Sequence, residues 1–80
     1  MNEITTATGK TFQSDYFVAH KPSKSLYFRI VGAEREQIEN VFSNAEETAV
    51  LTYKGKEYEG YTKLAEISDE DEAWKVRMTA

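Results

Sequence analysis

The stretch from Thr48 to Ile67, TAVLTYKGKEYEGYTKLAEI, constrains this chain more than any other. Two runs rich in β-branched and aromatic residues flank Lys54-Gly55-Lys56, a short polar link with glycine where a hairpin needs positive φ. That composition predicts a long β-hairpin. The run from Ala73 to Thr79 follows closely enough to extend it into a three-stranded meander, so a mainly antiparallel sheet is the frame into which the rest must fit.

Upstream, Glu3 to Ala7 and Thr11 to His20 read as two strands joined at Thr8-Gly9-Lys10. In the second of them Phe12, Ser14, Tyr16 and Val18 share one face, while Gln13, Asp15, Phe17 and Ala19 share the other. Apolar side chains fall on both faces, which a bulge or burial on both sides would explain. Lys21-Pro22-Ser23-Lys24 is a loop, because Pro22 has no N–H to give a ladder and biases Lys21 toward an extended conformation. Ser25 to Val31 is a strand with Leu26, Phe28 and Ile30 on its core side.

After Gly32 the period changes. Ile38, Val41 and Phe42 stand at i, i+3 and i+4 between charged residues, which predicts one short amphipathic helix within Ala33 to Ser43. Such a helix is too short to persist alone and has to dock on the sheet. Asn44 suits a left-handed C-terminal cap, and Ala45-Glu46-Glu47 a turn. In the closing strand Trp74, Val76 and Met78 alternate with Lys75, Arg77 and Thr79. Between Tyr58 and Ile67 the alternation slips, and Gly60 is the expected bulge. An offset of 46 positions sets Thr6 on Thr52, Gly9 on Gly55 and Lys10 on Lys56, so the two halves either repeat each other or merely share turn chemistry.

The expected fold is therefore α+β: a mainly antiparallel sheet of about six strands in βββαβββ order, free to curl or close into a partial barrel, with one helix between the halves. Eighty residues make one domain with a modest core, for which a shared interface is a common remedy. A net charge of −4 argues against sequence-independent binding to nucleic acid, which runs on cations. With no cysteine, disulfides and thiolate metal sites are excluded. No apolar run approaches the roughly 18 residues of a membrane helix, and the first residues lack the pattern of a signal peptide. The expectation is a cytosolic protein with no membrane partner; the one export route that escapes this test is that of a virion component, which leaves the cell by lysis and needs no signal.

Residues of catalytic type do not assemble into a constellation. Ala7-Thr8-Gly9-Lys10-Thr11 resembles the end of a phosphate-binding loop, but Ile4 stands where the leading glycine belongs and a strand follows where a helix should. Asp69, Glu70, Asp71 and Glu72 offer oxygen ligands without calcium-loop spacing, so a solvated turn is the simpler reading. His20 is the only histidine; Asp15 could orient it, yet no nucleophile is indicated. Lys21, Lys24 and Arg29 around Tyr27 are the nearest thing to a nucleic-acid patch, in an acidic chain. No catalytic residue, cofactor or metal ligand is assigned. The aromatic residues are more promising, since tyrosine and tryptophan are enriched at protein interfaces. Tyr27, Tyr53 and Tyr61 are the candidate interface residues, the first two because their neighbours Phe28 and Leu51 better suit the core.

TTATGKTFQSDYFVAH, SLYFRI, VFSNAEET, LTYKGKEYEGYTKL and the closing WKVRM together resemble small uncharacterised proteins encoded by phages and prophages of Gram-positive bacteria. The resemblance implies a virion or tail-gene context, with no catalytic residues to carry over, and the leading expectation is a non-enzymatic structural or assembly protein that associates through exposed strand edges and surface aromatics, by isologous pairing or ring formation. A small acidic adaptor that binds a host or phage protein is the alternative.

Overall fold

The computed structural model describes residues 1–80, and the elements it shows are β1 (Asn2–Thr5), β2 (Thr11–His20), β3 (Ser25–Val31), α1 (Arg35–Phe42), α2 (Ala45–Thr48), β4 (Val50–Tyr53), β5 (Lys56–Glu59), β6 (Lys63–Glu70) and β7 (Ala73–Thr79). All strands join one open antiparallel sheet of seven, ordered β5-β4-β1-β2-β3-β7-β6. The α+β architecture is as expected, with seven strands where about six were read and two short helices where one was.

The extra strand comes from the long hairpin. Its first turn forms as predicted: Tyr53 pairs with Lys56, and Lys54 and Gly55 take φ of 52° and 76°, the two positive values of a type I′ turn. The second arm then stops at Glu59. Gly60, at φ +87°, turns the chain out of the sheet, and β6 pairs with β7 at the opposite edge, so the expected three-stranded meander is not formed. The bulge lies not at Gly60 but at Ala65, where Leu64 faces Met78 and Glu66 faces Arg77. The correspondence between the halves ends there too, because β2 runs unbroken for 10 residues while its counterpart is cut.

That connection bends the sheet. Only Gly60, Tyr61 and Thr62 separate β5 from β6, and the four steps from Glu59 to Lys63 reach about 14 Å at most. In a flat sheet, edges six strand spacings apart would be separated by about 29 Å. The two edges therefore approach each other at this end.

A second irregularity works toward the same curvature. The register of β2 on β3 shifts between Gln13 and Tyr16, so Phe12 and Ser14 face the core before the shift and Phe17 and Ala19 after it. The Ser14 hydroxyl holds the distortion, donating to the Tyr16 carbonyl at 2.8 Å and accepting from its N–H at 3.3 Å. Phe17 stacks on Phe28 with centroids 5.6 Å apart and on Tyr53 at 4.4 Å, the rings within 15° and 10° of parallel. These contacts link β3, β2 and β4 along the inner face. Tyr16 and Val18, expected on the face of Phe12, are turned outward instead.

α1 closes the inner face. Ile38, Val41 and Phe42 are buried with Ile4, Leu26, Phe28, Ile30, Leu51, Val76 and Met78, and the Phe42 ring lies 5.2 Å from both Phe12 and Phe28. Each large side chain so buried contributes about 1.5–3 kcal/mol. Asn44 is not a left-handed C-cap: at φ −97° it is the N-cap of α2, its side chain accepting from the Glu46 N–H at 3.0 Å. The expected turn at Ala45–Glu47 is thereby wound into a helix.

Candidate functional site

Two polar clusters stand out. The first surrounds Glu47 on α2, a buried carboxylate. Thr6 Oγ1 donates to its Oε1 at 2.8 Å, Thr8 Oγ1 donates to the same oxygen, and Lys10 Nζ donates to Oε2. The Ala7 N–H donates to the Glu47 carbonyl at 2.9 Å. The Lys10 ammonium and then the Thr8 hydroxyl hold the carboxyl down from 4.5 to about 2, outweighing the upward push of desolvation. The strand β2 follows Lys10 directly, so the glycine-lysine turn is a fastening point between the β1–β2 hairpin and α2. Sequence reasoning missed Glu47 because nothing in the local pattern sets it apart from Glu46.

The second cluster is the outer face of β2, β3 and β7. Cross-strand register sets Tyr16 beside Arg29 and Arg29 beside Lys75; in the next row Val18 meets Tyr27 and Tyr27 meets Arg77. Tyr16 is 50% and Val18 40% exposed, the most exposed large hydrophobic side chains apart from Met1. Arg29 is fixed at the centre: its Nη1 donates to Glu70 at 3.2 Å, and its Nε lies 3.2 Å from Asp15 Oδ1, off the line of a hydrogen bond, so that contact is ionic. Around it lies a shallow cavity of about 440 Å³ lined by Asp15, Tyr16, Tyr27, Arg29, Glu70 and Lys75. No carboxylate comes within 4 Å of Lys75 or Arg77.

Both sheet edges are blunted. β5 is four residues long, and Lys56, Glu57 and Glu59 are charged and exposed. β6 carries the Ala65 bulge together with Lys63, Glu66, Asp69 and Glu70. Short length, charges and a bulge are the means by which edges resist strand addition.

The residues singled out from the sequence are dispersed over the molecule. Tyr27 sits on the outer face; Tyr53 lies two positions from Leu51, shares its inward direction and stacks on Phe17; Tyr61 packs at the margin of the core. Asp15 faces Arg29, while His20 Nδ1 engages the Ser23 hydroxyl at 2.6 Å within the exposed β2–β3 loop. Asp69 and Glu70 end β6 and point to opposite faces, and Asp71 and Glu72 form the turn, so the acidic run does not converge. Lys21 and Lys24 are exposed in their loop, with Lys75 and Arg77 taking the places nearest Tyr27 and Arg29. Strand alternation puts Lys75 and Arg77 on one face of β7, but only the β3–β7 pairing brings them to Tyr27.

No family model matches this chain, and neither a curated protein nor a solved structure matches it.

Proposed function

We propose that this chain is a non-enzymatic association module, a structural or assembly component of a phage or prophage, that binds copies of itself through the outer face of β2, β3 and β7. The observation that carries the reading is the exposure of Tyr16 and Val18 beside Tyr27, around an arginine already held in place by Asp15 and Glu70. Tyrosine and arginine dominate the binding energy of protein interfaces, and a side chain ordered in advance loses less entropy when a partner arrives. The blunted edges direct association to this face and away from strand addition. The phage context rests on the resemblance of the sequence segments quoted above.

Light scattering coupled to size-exclusion chromatography, across a range of concentrations, tests the reading. A mass above 9.2 kDa that rises with concentration is expected for the wild type, and Tyr27→Lys should lower it with an unchanged circular dichroism spectrum. A monomer at every concentration overturns self-association in favour of an adaptor for a different protein. An unchanged assembly in Tyr27→Lys overturns the choice of face.

A further inference from the structure

Two hairpins of the sheet close through a pair of residues at positive φ. The β4–β5 turn uses Lys54 and Gly55, whereas the β6–β7 turn uses Asp71 and Glu72, at 46° and 63°. Aspartate suits the first position of such a turn, but Glu72 stands where glycine belongs, and a side chain in the left-handed region crowds its own backbone. Nothing nearby offsets that strain. Both side chains are exposed and without an ion pair, and the turn is tethered only by Arg29 Nη2, 3.5 Å from the Asp71 carbonyl. Beyond the turn lies β7, which pairs with β3 on one side and β6 on the other and carries Val76 and Met78 into the core. The slot between β3 and β6 accepts the β7 of a second copy by identity of sequence, with no new surface required.

We infer that two copies of this chain exchange β7. The Asp71–Glu72 turn opens into extended chain, the β7 of each copy fills the place between β3 and β6 of the other, and the two opened hinges cross near a two-fold axis. Exchange leaves every β3–β7 and β6–β7 pairing in place, and both turn residues quit the left-handed region in both chains. Short connections under strain favour exchange of this kind over closure. One force opposes it: crossing brings Asp69, Glu70, Asp71 and Glu72 of the two copies together, and within 4 Å only Arg29, on Glu70, compensates them. Salt screens that repulsion, so exchange rises with ionic strength. The contact uses neither a sheet edge nor the outer face and does not depend on the association proposed above. It is also slow, because β7 leaves only when Leu26, Phe28 and Ile30 lose their cross-strand neighbours, so a dimer once formed persists on dilution.

The chain has no cysteine of its own, so introduced pairs report which strands share a molecule. Ser25 and Thr79 face each other on β3 and β7, and Lys63 and Thr79 on β6 and β7. Directly opposed Cα atoms lie about 4.5–5.5 Å apart, within the span of a disulfide. Full-length S25C/T79C and K63C/T79C are refolded from urea at high protein concentration; the dimer is isolated by size exclusion, oxidised and run on a denaturing gel without reductant. Circular dichroism confirms folding, and Y27C/R77C and S68C/K75C, across the same strand pairs, replace a variant that fails to fold. Exchange of β7 predicts a covalent dimer from both variants. The wild-type dimer fraction should rise between about 0.05 and 0.5 M salt. Glu72→Gly, which relaxes the turn in each of two chains, should lower the dimerisation constant about five- to thirtyfold. A dimer whose disulfides all lie within one chain overturns the exchange and leaves association through the outer face standing. A covalent dimer across β3 and β7 but not across β6 and β7 overturns the hinge at Asp71–Glu72, because β6 then travels with β7. Equal dimerisation by Glu72→Gly and the wild type overturns turn strain as the cause, and a wild type that stays monomeric after refolding overturns the exchange itself.

Discussion

Lys10 and Glu47, 37 positions apart in sequence, form the ion pair that ties α2 to the β1–β2 turn. The carboxyl of Glu47 titrates at about 2 in the folded chain against 4.5 without these partners, so the unfolded state binds the extra proton as pH falls. The stabilisation is complete above about pH 5 and is lost progressively toward pH 2. Urea midpoints measured at intervals across that window should fall steeply for the wild type. Glu47→Gln should start lower at neutral pH and change less; a parallel decline in the two proteins would assign the acid sensitivity elsewhere.

Gly60 separates two strands that lie at opposite edges of the sheet. A Cβ there would meet nothing within 4 Å, so any cost of substitution comes from the positive φ alone. Gly60→Ala should lower stability by about 1 kcal/mol in denaturant titrations, without altering the near-ultraviolet spectrum of the core.

The β6–β7 turn has the opposite character. Asp71 and Glu72 hold φ of 46° and 63° in a two-residue connection between Glu70 and Ala73, with no glycine to relieve it. Glu72→Gly should raise stability by about 0.5–1 kcal/mol, read as a higher melting temperature. A loss instead would mean that the Glu72 side chain contributes more than its backbone conformation costs.

Phe17 is the ring shared by the stacks on Phe28 and Tyr53. Phe17→Ala should cost about 3 kcal/mol, near the lower end for a phenylalanine because the site is only half-buried. Tyr16→Ala, one position away on the solvent face, should cost under about 1 kcal/mol. Equal losses in equilibrium unfolding would contradict the face exchange at the β2 bulge.

Strand positions were legible wherever alternation was clean, as in β3 and β7, and α1 was legible from the spacing of Ile38, Val41 and Phe42. What remained hidden depends on pairing across the chain. Alternation says which side chains share a face of one strand but not which strand lies alongside, so the separation of β5 from β6 could not be read from Tyr58 to Ile67. The mixed pattern of Phe12, Tyr16, Phe17 and Val18 signalled an irregularity in β2 without saying which residues turned inward, because a register shift exchanges the faces. The outer-face cluster was missed for the same reason: Tyr27 and Arg29 lie on β3, Lys75 and Arg77 on β7, and their meeting is a fact of topology.

The place of β7 has a consequence for how the chain must be made. This strand lies inside the sheet, between β3 and β6, and carries Val76 and Met78 into the core. On the ribosome, β3 would emerge with one side unpaired, and Leu26, Phe28 and Ile30 would lack their cross-strand neighbours Met78, Val76 and Trp74 until residues 73–79 had been synthesised. Until then the open side of β3 is exposed to sticking and to proteolysis, and the sheet closes in a step that joins residues about fifty positions apart.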